Sequence, residues 1–130
     1  MKANYIAILL AGEDGRFYAR VPGVNGCISS GRGLTKALEN IKDALCTWLC
    51  DAEDRNEQLP EPTDVGEVED GAVIALIEVD TLRYRAETDT RAVRKNVSMP
   101  AWLAFAADKR GLNVSQILQD ALKRELGYVE

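Results

Sequence analysis

The chain contains no histidine, and that absence removes two kinds of chemistry at once. Without an imidazole there is no ordinary general base near neutral pH, and nothing to activate a cysteine as a nucleophile. The three cysteines are an odd number, which argues against a disulfide framework; with no histidine beside them, a zinc site is not expected either. No apolar run approaches the ~20 residues of a membrane span, and the amino terminus has no signal-peptide pattern. The expectation is a cytoplasmic protein with no membrane partner, no cofactor and no metal. Cys27 lies in a loop-to-strand region, while Cys46 and Cys50 are four apart on a helical pattern. Small buried thiols on a packed helix face are the favoured reading of that pair over a shared metal or an oxidation sensor.

Charge is plentiful but uneven. Residues 1–90 hold 9 Lys and Arg against 17 Asp and Glu, a net of −8; residues 91–130 hold 7 against 4, a net of +3. An acidic body joined to a basic tail points to two kinds of partner, something basic for the body and a polyanion for the tail. A solubilising role is the competing account of the acidity.

The front half reads β-β-β-α-β. Residues 4–11 are an almost unbroken apolar run, suited to a strand covered on both faces. Glu13-Asp14-Gly15 then turns the chain, and Phe17, Ala19 and Val21 alternate along a second strand. Pro22 to Gly26 breaks that strand, and Cys27 to Ser30 can add a short third one. From Leu34 the period becomes helical, with Leu34, Leu38, Ile41, Leu45, Trp48 and Leu49 on one stripe. Residues 51–70 carry nine acidic side chains and read as a solvated loop; Ala72 to Val79 is again apolar, a buried strand. One helix covers one face of such a sheet. The other face calls for a second subunit or a bound protein, unless the tail packs partly against it.

A metal-dependent hydrolytic site would need carboxylates converging from rigid strands. The acidic residues here sit in the 51–70 loop or on the solvated side of the helix, apart from Glu78 and Asp80 at a strand end. The front half is therefore read as non-catalytic.

The last forty residues carry a different pattern. Arg94-Lys95-Asn96-Val97-Ser98-Met99 reads as a short strand whose Arg94, Asn96 and Ser98 share one face, opposite Val97 and Met99. Pro100 stops it and suits a helix start; Trp102, Leu103, Phe105, Ala106 and Ala107 give a first helix its apolar side. Gly111 is placed to end that helix, and Asn113 with Gln116 has the form of a capping box. Val114, Ile117, Leu118, Ala121 and Leu122 then make the inner stripe of a second helix. Strand, helix, turn, helix is the order of a ribbon-helix-helix domain, in which two chains pair their strands and present the polar ribbon face to the major groove. Arg94, Asn96 and Ser98 are the candidate base contacts, preferred over an exposed edge strand with polar decoration. Arg91, Lys95, Asn113 and Ser115 are the candidate phosphate contacts. So short a segment cannot bury enough apolar surface alone, and dimerisation has to supply the rest.

Taken in order, Tyr5-Ile6-Ala7-Ile8, Asp14-Gly15, Tyr18, Val21-Pro22, Gly26-Cys27, Gly31, Ala37-Leu38-Glu39-Asn40, Leu59-Pro60-Glu61-Pro62, Glu78-Val79-Asp80 and the tail from Arg94 to Leu126 resemble a HicB-type antitoxin with a ribbon-helix-helix tail. The resemblance spans nearly all of the chain. Two positions depart from it: Gly23 where the family usually has Asp, and Gly33 where it usually has a Thr cap. The resemblance implies an α+β architecture. Residues 1–80 would form a degenerate ribonuclease-H-like domain that binds a toxin, 81–92 a linker, and 93–130 a ribbon-helix-helix domain. It further implies a HicA-type RNA-cleaving toxin and double-stranded operator DNA as partners, and self-association as a dimer through the ribbon, extending to a tetramer. It also assigns the phosphate-gripping hydroxyl to Ser115. Glu13, Asp14, Val21, Pro22, Gly23 and Cys27 are the candidate toxin-binding residues. The expected role is an antitoxin that neutralises its toxin and represses its own operon. The alternative is a free-standing repressor whose front half senses a ligand or only oligomerises.

Overall fold

The apolar run near the amino terminus forms β1 (Lys2–Ala11), and a single 3-10 turn at Glu13–Gly15 reverses it into β2 (Arg16–Arg20). Asp14 stands in the left-handed region there, at φ 58°, a conformation that Asp tolerates better than most side chains. β3 (Ile28–Arg32), α1 (Leu34–Asp54), β4 (Val73–Asp80) and α2 (Thr81–Thr88) follow. The tail contributes α3 (Ala101–Lys109) and α4 (Val114–Glu125). The structure, a computed structural model, describes residues 1–128 and divides the chain into two units, Met1–Asp89 and Thr90–Glu130.

In the first unit all strand pairings are antiparallel and the order is β3-β2-β1-β4. Alternation along β1 sends Tyr5, Ala7 and Leu9 to one face, where Ala37, Ile41, Leu45 and Leu49 of α1 cover them. Ala19, Val21, Ile77 and Val79 complete that core. Each large aliphatic buried there stabilises the fold by about 1.5–3 kcal/mol. Of the expected helical stripe, Ile41, Leu45 and Leu49 are fully buried, Leu38 and Trp48 flank the core, and Leu34 is 40% exposed at the helix start. Gly33 precedes α1 at φ +85°, a conformation that would strain a Thr, so glycine here follows from the backbone path.

Three expectations are corrected. Residues 51–70 are not simply a solvated loop. The helix runs on to Asp54 and closes with Asn56 at φ 54°, Asn56 N–H donating to Glu53 O and Glu57 N–H to Ala52 O, which is a Schellman closure. Beyond it the acidic arm is pinned to the body at defined points. Residues 81–88 are not linker but α2. Asp80 caps it by accepting from Arg83 N–H, Tyr84 donates its hydroxyl to Asp43, and Arg85 reaches Cys50 O, Glu53 and Asp54 on α1. No apolar periodicity marks this helix in the sequence, because polar contacts rather than an apolar stripe dock it. Residues 94–99 form no strand within the single chain. A strand exists only through hydrogen bonds to a neighbour, and the described residues of the second unit include no neighbouring strand.

In that second unit the Pro100 carbonyl accepts from Leu103 and Ala104 N–H to start α3. Gly111, at φ +63°, ends it with a second Schellman closure, through Gly111 N–H to Asp108 O and Leu112 N–H to Ala107 O. The Asn113 side chain accepts from Gln116 N–H at 3.0 Å. The reciprocal half of the capping box is not made, because Gln116 donates its side chain to Asp120 at 2.9 Å instead.

Candidate partner-binding surfaces

The acidic arm becomes part of a surface through three contacts. Tyr5 Oη donates to the Pro60 carbonyl, Thr63 Oγ1 donates to the Pro22 carbonyl at 3.0 Å, and Arg20 Nη2 bonds both carboxylate oxygens of Glu69 at 3.1 and 2.9 Å. Tyr5 points to the α1 face of the sheet, while Arg20, paired across from Ile8, belongs to the opposite face. The arm therefore wraps the end of β2 from one face to the other. Burial first, then the charge of Glu61, raises the pKa of the Tyr5 phenol, so it remains a donor at any ordinary pH. The Arg20 pair is half-exposed and contributes at most about 1 kcal/mol, a positioning contact more than a source of stability.

The arm comes to rest against the turn between β2 and β3. There Val24 N–H donates to Val21 O and Cys27 N–H to Val24 O, while Trp48 Nε1 of α1 donates to Asn25 O at 3.2 Å. Of the candidate toxin-binding residues in this turn, Val21 and Cys27 are buried, at 3% each, so they hold the turn's shape and offer no side chain to a partner. Pro22 is half-buried and Gly23 exposed. Glu13 and Asp14 are exposed but lie beyond the opposite end of β2, about 16 Å away at 3.3 Å per residue. The six residues thus form two places, not one. Nothing in the sequence marks Thr63; a tertiary contact brings it beside Pro22, as another brings Pro60 of the Leu59–Pro62 segment to Tyr5.

Across the sheet from α1, Tyr18, Ile28, Ile74 and Leu76 are 50–72% exposed. Ile8, Leu10, Tyr18, Arg20, Ile28 and Glu69 line a groove of about 430 Å³ on this face.

The three thiols are free. Burial pushes Cys46 up to about 11 and also raises Cys27 and Cys50, so none is an activated nucleophile. Among the described residues no group of His, Cys, Asp and Glu is arranged to hold a metal ion. Glu78 is exposed on the open face beside Asn4, while Asp80 caps α2 and pairs with Lys2 at 4.0 Å; they do not converge. Among the described residues no helix is long and apolar enough to cross a membrane.

In the tail, Arg91, Arg94, Lys95, Asn96 and Ser98 are all exposed along the extended segment before α3. Asn113 and Ser115 stand at the start of α4; the Asn113 oxygen is engaged in the cap, and Ser115 Oγ accepts from Gln119 at 3.1 Å, leaving the hydroxyl hydrogen to donate elsewhere. No described residue from 90 to 128 is buried. Ile117, Leu118 and Leu122 are 36–49% exposed, and Trp102 and Phe105 more than 60%.

A two-part chain of this kind, a helix-backed antiparallel sheet followed by a polar, Arg- and Lys-containing segment and a pair of short helices, defines an α+β protein. Comparison with known proteins makes that specific. A family model for the HicB-like antitoxins of bacterial toxin-antitoxin systems matches residues 5–118, and the chain belongs to that family. A UPF0150 protein of Thermoplasma acidophilum is 34% identical over 57 residues, 44% of this chain and 83% of that protein. Another from Synechocystis is 32% identical over 57 residues, covering 44% and 78%. Among solved structures, a chain of a toxin-antitoxin complex from Streptococcus pneumoniae superposes with a TM-score of 0.60 at 20% identity, over 96% of this chain and 99% of that one. The antitoxin HicB of Burkholderia pseudomallei gives 0.55 at 20% identity, over 98% of each. At such identities these structures support the fold.

Proposed function

We propose that this chain neutralises a small basic toxin of the HicA type with its first unit, and represses its own operon by binding operator DNA with its second. The observation that carries the reading, beyond family membership, is the acidic arm held beside the turn at residues 21–27. Here a segment rich in carboxylates is fixed in place by Tyr5, Thr63 and Arg20, so its charge has a constant position to offer a basic partner. Glu13 and Asp14, at the far end of β2, add long-range attraction without belonging to the same contact. We read the first unit as a degenerate ribonuclease-H-like module serving as a binding platform without catalysis.

For the tail, the reading rests on an apolar stripe left bare in the single chain and on the polar segment Arg94 to Ser98. Two copies pairing that segment as an antiparallel ribbon would cover Val97, Met99 and the α4 stripe together, and direct Arg94, Asn96 and Ser98 toward base edges. The start of α4, with Asn113 and Ser115, would face a phosphate. Arg91 and Lys95 add backbone charge contacts.

The test is co-expression of the full chain with the toxin from the neighbouring reading frame, scored by RNA cleavage in extracts and by co-purification. The expected result is a stable complex and suppressed cleavage. A chain that folds, binds operator and leaves the toxin active would instead favour a free-standing repressor, with the apolar groove as its ligand site.

A further inference from the structure

We propose that Arg32, Arg16 and the ring of Tyr18 form a binding site for a single nucleotide, the two guanidiniums taking its phosphate and the ring its base. The register builds this row. Val21 N–H donates to Cys27 O at one end of the β2–β3 ladder, and Gly33 N–H to Gly15 O at the other. Bonded pairs alternate along an antiparallel ladder, so Phe17–Gly31 and Ala19–Ser29 are bonded while Arg16–Arg32 and Tyr18–Ser30 are the close, unbonded kind. Arg16 and Arg32 therefore stand directly opposite, their Cα atoms about 4.5 Å apart. Both project from the open face, since their neighbours Phe17 and Gly31 pack on the α1 side. On the other side of Arg16, Gly12 N–H donates to Arg16 O at 2.7 Å, which makes Gly12 the third place in the row. The Tyr18 ring leans into that place: a Cβ at Gly12 would lie 2.5 Å from Tyr18 Cε2 and 2.9 Å from Tyr18 Cδ2.

Charge and shape select the ligand. Like charges directly opposite on neighbouring strands destabilise a sheet, and here no carboxylate offsets them. Arg20, further along β2, is paired with Glu69 at 2.9 Å. Among the described residues neither Arg16 nor Arg32 has an ion pair, and Glu13 and Asp14 on the adjoining turn supply none. Arg16 Nη1 donates to Ser30 Oγ at 3.1 Å, which steadies one fork and leaves the hydroxyl hydrogen to donate outward. Two planar forks side by side match the three oxygens and near-double charge of a phosphate monoester better than a carboxylate. Beside them Tyr18, 55% exposed with one ring edge over Gly12, offers a π-face to a flat base. A longer strand of nucleic acid fits less well. Residues 1–90 carry a net of −8, and its further phosphates would meet Glu13, Asp14 and the acidic arm. This inference does not rest on the toxin or operator reading.

The experiment titrates the full chain with AMP, UMP, inorganic phosphate and an oligouridylate by isothermal calorimetry. AMP and UMP should bind within about tenfold of one another, because a stacked base is not read at its edges, and inorganic phosphate should bind more weakly. Arg32→Gln should weaken the nucleotides and phosphate alike by about tenfold or more, as should Arg16→Gln. Arg32 is exposed, so circular dichroism should show an unchanged fold in its variant. Tyr18→Leu should bring the nucleotides down to the affinity of phosphate and leave phosphate binding as it was. Gly12→Ala, which displaces the ring, should move the nucleotides in the same direction. No binding of AMP or UMP at millimolar concentration would overturn the proposal. So would nucleotide binding that survives Arg32→Gln, phosphate bound as tightly as the nucleotides, or an oligouridylate bound more tightly than UMP through the same arginines.

Discussion

Thr63 of the acidic arm and Gly23 of the β2–β3 turn occupy one another's space. A Cβ at Gly23 would lie 2.7 Å from Thr63 Cγ2 and 2.9 Å from Thr63 Oγ1, while that same hydroxyl bonds the carbonyl of Pro22. The glycine also sits at φ +86°. Gly23→Ala should therefore destabilise the protein by about 1–2 kcal/mol through backbone strain, and further through the contact. Adding Thr63→Ser, which removes the methyl and keeps the hydroxyl, should recover the methyl's share of the contact and leave the strain and the hydroxyl's share. Urea unfolding of the two variants checks this; a Gly23→Ala protein as stable as wild type would contradict the packing of arm on turn.

Acid should weaken the first unit through Glu53. Burial works to raise its pKa, but hydrogen bonds from Thr81, Arg85 and the Met1 amino group outweigh that and hold it below the ordinary 4.5. A carboxylate more acidic in the folded state contributes stability fully above its ordinary pKa, and loses it as pH falls through the depressed value. Stability should thus decline as pH drops below about 4.5. Glu53→Gln should be less stable at neutral pH and show a flatter decline. Parallel slopes for the two proteins would remove Glu53 from the account.

The buried thiols should resist modification in the native state. Cys46, pushed up to about 11, is almost wholly protonated at neutral pH, and Cys27 is 3% exposed. Alkylation followed by mass spectrometry should label Cys50 first, and the other two only when denaturant opens the core. Rapid labelling of Cys46 in native protein would revive the redox reading.

On DNA, Asn96→Ala should cost on the order of 1–3 kcal/mol and relax base preference at one position in each half-site. Arg91→Ala should instead weaken binding to all sequences alike and lower the salt dependence. Gel-shift titrations over operator variants separate the two; unchanged affinity and preference in Asn96→Ala would remove the ribbon assignment.

For the toxin, neutralising Glu57, Glu61, Asp64 and Glu67 together should slow association and flatten its salt dependence, with little change in dissociation. These residues are exposed, so folding should be unaffected. Stopped-flow association at two ionic strengths reads the effect directly, and a change confined to dissociation would place the arm inside the contact.

The strands and helices with strong periodicity followed from the sequence by itself. The apolar runs of β1 and β4, the helical stripe of α1 and the Gly111 and Asn113 stops are local patterns, each set by which side chains avoid water and which backbone angles a residue tolerates. What the tertiary structure alone decided are the relations between segments far apart in the chain. Thr63 meets Pro22 across 41 residues, Tyr5 meets Pro60 across 55, and Arg20 meets Glu69 across 49. No periodicity encodes such contacts. Helix α2 belongs with them, since Asp43 and Glu53 hold it from another element. The polar segment Arg94 to Ser98 had its alternation visible in the sequence, but a strand is a property of two segments, and its hydrogen bonds require a partner that one chain does not supply.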